Sequence, residues 1–161
     1  MDQKVILINL PPSTSYSYRS SGSIYPATGI LVVGTILKSH GLTVQVIDGT
    51  VKSDYIKKTL NSIDKDTVMI GFSVMTSQVP LAFNLSKLIK AKYPEIPIVW
   101  GGIHPTLMPK ETLEEDYVDM VVIGDGEITF PELLYGISKK SKLSSIKGIG
   151  FKQNKKIIIN E

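Results

Sequence analysis

Bare backbone beside a histidine is the first chemical feature of this chain: Ile98-Val99-Trp100 runs straight into Gly101-Gly102-Ile103-His104-Pro105. Two adjacent glycines remove both side chains, so a flat or bulky group can approach the main chain closely. The alternative is a tight strand exit and nothing more. His104 can hydrogen-bond a phosphate or amide, or serve only as a structural loop residue. Ser73 ends another apolar run; its hydroxyl can donate to a ligand, with Val74 and Met75 as a soft wall, or cap the following turn. Gly124-Asp125-Gly126-Glu127 supplies carboxylates that either accept from a ligand amide or cap a helix. It is no dinucleotide fingerprint, because it follows the last apolar run and Thr129 stands where the third glycine belongs. Asp48-Gly49 either holds a ligand hydroxyl or makes a turn. His40 reads as a partner for a helix end, and two isolated histidines argue against a dedicated zinc site.

The elements that must position these groups show in the pattern of apolar runs. Residues 5–10, 43–47, 68–72, 96–100 and 118–123 are short, rich in β-branched side chains and lack alternation, as strands covered on both faces do. Helical patterns separate them. The first spans about 27–39, with Ile30, Val33, Ile36 and Leu37 on one face and Gly41 closing it in the left-handed conformation. The second starts near Ser53 and buries Ile56, Leu60 and Ile63; the third starts near Pro80, a residue suited to a first helical turn. A short fourth follows Pro109. The fifth begins around Thr129-Phe130-Pro131-Glu132, a capping-box pattern. Five β-α units predict an α/β fold, a doubly wound, five-stranded parallel sheet in the order 2-1-3-4-5. Residues 1–145 form that domain, and 146–161 read as a C-terminal hairpin or a linker toward a missing domain.

Such sheets bind ligands beyond the carboxyl ends of their strands, near the switch point between strands one and three. The segments named above therefore converge, joined by residues 11–26. That stretch is long for a βα connection and holds seven Ser or Thr residues together with Tyr16, Tyr18 and Tyr25. It is either a ligand wall or plain disorder.

Composition removes several classes of function. At 161 residues, 42% hydrophobic and 20% charged, the chain builds one ordered globule. The net charge of +3 comes from scattered lysines, with no arginine cluster interleaved with aromatics, so nucleic acid is not an expected partner. The absence of cysteine excludes disulfides, a cysteine nucleophile and a cysteine-held iron–sulfur cluster within this chain. The N-terminal apolar run is too short for a signal peptide, and the helical run at 30–37 is too short to span a membrane. The expectation is a cytoplasmic protein with no membrane partner.

The order of motifs resembles a known family. Ser73-x-Met75 ends strand three; Gly101-Gly102 precedes Ile103-His104-Pro105-Thr106; and Val122-Ile123-Gly124-Asp125-Gly126-Glu127 continues into Ile128-Thr129-Phe130-Pro131-Glu132-Leu133-Leu134. Together they look like the N-terminal cobalamin-binding domain of class B radical SAM enzymes. The resemblance covers about residues 4–150 and is strongest over 100–109 and 119–134. It implies that Ser73 contacts the buried nucleotide tail of cobalamin, with Met75 replacing the usual leucine, and that Gly101 and Gly102 open a slot for that tail.

Two departures qualify what is implied. The lower-ligand motif Asp-x-His-x-x-Gly is absent after strand one, where Asn9-Leu10-Pro11-Pro12-Ser13 stands, so no imidazole from that loop ligates cobalt. The family's three-cysteine cluster motif is also absent. The iron–sulfur cluster and S-adenosylmethionine then belong to a downstream radical SAM barrel domain, in cis or trans, and this chain alone is not the catalyst. The expected function is non-covalent cobalamin binding in support of such an enzyme, with methyl transfer as one activity of the parent. A flavodoxin-like flavin or nucleotide binder is the alternative, resting on the Ser/Thr-rich loop as a phosphate cradle.

Overall fold

Val5, Ile6, Leu7 and Ile8 are all buried, and successive residues face opposite sides of the sheet, so this strand must be covered twice. The computed structural model, which describes residues 3–12, 27–139, 141–154 and 156–160, shows how. The strands are β1 (Lys4–Asn9), β2 (Thr43–Asp48), β3 (Thr67–Ser73), β4 (Ile98–Gly101), β5 (Met120–Val122), β6 (Ile149–Gln153) and β7 (Lys156–Asn160). The helices are α1 (Thr28–Ser39), α2 (Tyr55–Ser62), α3 (Val79–Lys92), α4 (Ile103–Leu107), α5 (Pro109–Glu114) and α6 (Gly126–Ser138).

The sheet runs β2-β1-β3-β4-β5-β6-β7. Its first five strands are parallel and in the expected order. The strand count differs from expectation: β6 pairs antiparallel with β5, and β7 with β6, giving seven strands. The hairpin foreseen at the C-terminus is thus hydrogen-bonded into the same sheet.

One face packs Ile6, Ile8, Ile70, Phe72, Ile98 and Trp100 against Tyr55 of α2, Leu85 and Ile89 of α3 and Leu113 of α5. The other packs Val5, Leu7, Met69, Val99 and Val122 against Ile30 and Leu37 of α1 and Phe130, Leu133 and Leu134 of α6. Gly41 closes α1 at φ +81, as its position after the last apolar residue predicts.

Two expectations are corrected. α6 begins at Gly126 rather than near Thr129, with Asp125 as an extended N-cap, and Pro131 lies inside the helix. The turn at Gly124 (φ +77) starts the helix three residues early, which leaves Pro131 at the sixth helical position, past the first turn, where its nitrogen donates no intrahelical bond. The stretch after Gly102 is also no open loop. It folds at once into the single turn of α4, because the Thr106 hydroxyl donates to Gly102 O at 2.8 Å. Among the described residues no helix is long and apolar enough to cross a membrane.

Candidate cofactor-binding slot

Between α1 and α6, over the carboxyl half of the sheet, lies a cavity of about 180 Å³. Leu7, Gly71, Val122 and Phe130 line its deep end, with Ile30 and Val33 of α1 as one wall. Ser73, Gly101, Gly102 and residues 124–127 form the rim.

The glycines around this cavity serve different ends. A Cβ on Gly71 would lie 2.9 Å from Leu7 Cδ2 and from two ring atoms of Phe130, so only glycine lets those side chains close over β3. Gly102 sits at φ +93, and a Cβ there would meet Val74 N at 2.9 Å and Val74 O at 3.1 Å. Gly102 is therefore required by the backbone turn itself. A Cβ on Gly101 or Gly126 would meet neighbours only at 3.4 Å or beyond, and one on Gly29 would meet nothing within 4 Å among the described residues. At those three positions a side chain has room to enter the slot.

Hydrogen bonds fix the rim. Val74 N donates to Gly101 O at 2.8 Å and His104 N donates to Val74 O at 3.0 Å, stitching the β3 and β4 exits together. Thr106 Oγ1 accepts from Gly124 N at 3.0 Å while donating to Gly102 O, which ties the β4 and β5 exits. The buried Gln78 side chain accepts from Met75 N at 2.9 Å and donates to Leu10 O at 2.7 Å, joining the β1 and β3 exits. Ser73 shares a sheet face with Met69 and Gly71, which aims its side chain to the slot side.

Of the expected site residues, Ser73, Gly101, Gly102, Gly124, Asp125 and Gly126 come together here. The rest stand elsewhere. Val74 is fully buried in the core of the opposite face. His104 is buried, with Nδ1 3.3 Å from Thr76 Oγ1. Met75 and Ile103 are exposed along the same edge of the sheet, outside the cavity. Asp48 Oδ1 accepts from Asn9 Nδ2, Thr50 N and Thr50 Oγ1 at 2.7–3.0 Å, and Gly49 N donates to Asn9 O. Those two latch β2 to β1. The Ser/Tyr-rich stretch 13–26 lies outside the described residues.

Sequence reasoning gave no site role to Gly29, Gly71 or Gln78, nor to Thr106 and Phe130, which entered only as members of longer motifs. One of them carried a signal: Gly71 interrupts a buried apolar run, the pattern left by close approach of another group to a strand.

The cavity is largely apolar within and bordered by glycines, and it lies at the edge where parallel sheets bind ligands, a setting compatible with an apolar group of a cofactor. The sequence profile of the family described as "B12 binding domain" matches residues 18–134. The chain belongs to the B12-binding domain family. An uncharacterized methyltransferase of Pyrococcus horikoshii, PH0819, is 33% identical over 157 residues, covering 94% of this chain and 33% of that protein. The anaerobic magnesium-protoporphyrin IX monomethyl ester cyclase of Synechocystis is 29% identical over 157 residues, covering 95% of this chain and 32% of its own. The structure of TsrM from Kitasatospora setae is that of a radical S-adenosylmethionine methyltransferase with cobalamin and a 4Fe-4S cluster bound. It superposes at TM-score 0.78 with 21% identity, over 99% of this chain and 29% of that one, and so shares the fold of this B12-binding domain. The chain spans about a third of the length of the curated relatives it matches.

Proposed function

We propose that this B12-binding domain holds cobalamin without a covalent bond, its nucleotide tail in the slot between α1 and α6 and its corrin over the carboxyl edge of the sheet. The observation that carries this reading is the slot itself. Gly101 leaves its mouth open, Gly102 makes the turn beside it, Gly71 lets the Leu7 and Phe130 side chains close over β3 at its floor, and Ser73 presents a hydroxyl at its rim. Met75 and Ile103 are exposed just beyond the ends of β3 and β4, apolar groups at the same edge of the sheet. When bound, cobalamin supplies a cobalt centre able to carry a methyl group. The chain's own part is to bury the tail, orient the ring and keep water from its covered face.

Neither histidine offers an imidazole at the slot. The His40 ring hydrogen-bonds Ile36 O at the far end of α1, and the His104 ring is buried beside Thr76. On this reading no imidazole of this chain would reach the cobalt. A radical SAM barrel domain, in cis or trans, is the partner this reading calls for, with the cytoplasm as its compartment. Its substrate is set by that domain.

The test is retention of hydroxocobalamin through gel filtration, with a changed visible spectrum. Gly29→Leu is the informative variant, since Gly29 lines the cavity from α1 and a Cβ there meets nothing within 4 Å among the described residues. Replacing a helical glycine raises helix stability by up to about 1 kcal/mol. The expected outcome is a melting temperature at or above that of the parent, with affinity lowered at least about tenfold by steric exclusion. A G29L protein that binds cobalamin as tightly as the parent would remove the slot from the binding site.

A further inference from the structure

The slot is graded from mouth to floor. Its polar groups stand at the mouth: the Ser73 hydroxyl, the exposed Asp125 and the half-buried Glu127. The floor is made by Leu7, Val122, Phe130 and the strand at Gly71, with side chains that are almost wholly buried and carry neither donor nor acceptor. The strand backbone at that level is already engaged in the parallel ladder, Leu7 opposite Gly71 and Gly71 opposite Val99.

We infer that this floor selects among corrinoids by the base at the end of their nucleotide tail, accepting a ring system with only carbon substituents, as in the benzimidazole of cobalamin, and discriminating against a purine. The inference rests on the proposal above that the tail enters this slot. An adenine base carries an exocyclic amine and extra ring nitrogens, all hydrated in water. At the floor it meets Leu7, Val122 and Phe130 and, among the described residues, finds no partner, so its desolvation goes uncompensated. The methyl groups of a dimethylbenzimidazole gain from the same surroundings. The carboxylates of Asp125 and Glu127 do not rescue the purine, since they stand at the mouth while the amine would lie at the buried end.

Equilibrium binding of three corrinoids to the 161-residue chain, followed by visible spectroscopy, tests this: cobalamin, the adenine-containing cobamide, and cobinamide, which has no nucleotide tail. Cobalamin is expected to bind about tenfold or more tighter than the adenine form, and cobinamide to bind more weakly than cobalamin. Val122→Thr, a near-isosteric change that places a hydroxyl at the floor, should narrow the cobalamin-to-adenine ratio by several-fold. Equal affinity for cobalamin and the adenine form, with cobinamide much weaker, overturns the selectivity while leaving the tail in the slot. Cobinamide binding as tightly as cobalamin removes the tail from the slot, and the selectivity with it. Failure of all three to bind defeats the underlying functional reading. A V122T protein whose ratio stays at the parental value, with an unchanged melting temperature, also counts against the floor as selector.

Discussion

One hydroxyl, that of Thr106, holds the exits of β4 and β5 at a fixed separation by donating to Gly102 O and accepting from Gly124 N. Thr106→Val keeps the shape of the side chain and removes both bonds, each worth about 1 kcal/mol net. We expect a small fall in melting temperature and a several-fold loss of cobalamin affinity, with Thr106→Ser recovering most of the affinity. A T106V protein that binds as the parent does would show that this tie does not shape the rim. Gly102 is a poorer probe than its place in the sequence suggests. At φ +93, with Val74 N 2.9 Å from any Cβ, a bulky replacement deforms the turn before it fills the slot. Much of the candidate site is legible from the strand-end rule alone, which puts Ser73, the glycine pair and residues 124–126 at one edge. Gly29 and Phe130 escape it because their role depends on which helices cross β3, a tertiary fact, while Gly71 leaves only the local trace of a glycine inside an apolar run. His104 was legible as a residue near the edge, but its burial beside Thr76 follows from the helical turn of α4.

Among the elements, the strands were the most readable, since burial on both faces leaves an unbroken apolar run. Helix starts were less so. Pro131 invites placement at a first helical turn, yet it lies inside α6, whose start is set by the positive φ of Gly124. At the amino edge of the sheet, opposite the slot, β1 and the turn before β3 are clasped by Lys4 Nζ and Asp64 Oδ2 at 2.8 Å. The hydrogen bond from Lys4, with smaller help from Thr67 and Asp66, holds the Asp64 carboxyl below its ordinary value. Folding therefore favours the ionised carboxylate. That contribution is fully present above the ordinary carboxylate pKa and is lost as pH falls through the lower folded value. The group is open to solvent, so the effect is modest. Asp64→Asn should melt below the parent at neutral pH, and the gap should shrink as the pH is taken down to about 3. A gap that stays constant across that range would mean the ionised state of Asp64 does not matter to the fold. Cobalamin binding should be unchanged, because the clasp and the slot occupy opposite edges.

For the whole molecule, the question is whether the β6–β7 hairpin shares the cooperativity of the parallel sheet. Its residues enter both cores: Ile149 and Phe151 lie with Met120, Val122 and Leu133 on the α1–α6 side, and Ile157 packs on the other. Ile123 N also donates to Gly148 O at 2.8 Å, carrying the β5 exit into the hairpin. Trp100, the sole tryptophan, is fully buried in β4, with Nε1 donating to Ser86 Oγ at 3.1 Å, so its emission reports on the centre of the sheet. Gly150 in β6 gives the perturbation. A Cβ there would lie 2.8 Å from both Leu113 Cδ1 and Val121 Cγ2, and neither neighbour can move without disturbing the core beneath α5. Gly150→Val should cost about 1–3 kcal/mol through overpacking. If the sheet unfolds as one unit, Trp100 emission and far-UV circular dichroism move together to a lower midpoint, by about 2–4 °C for each kcal/mol. If the hairpin is an independent appendage, the tryptophan transition stays where it was while part of the dichroism signal melts early. The shared burial of Ile149 and Phe151 with the slot-side core argues for the first outcome, because loosening β6 exposes the side chains that β5 and α6 rest on.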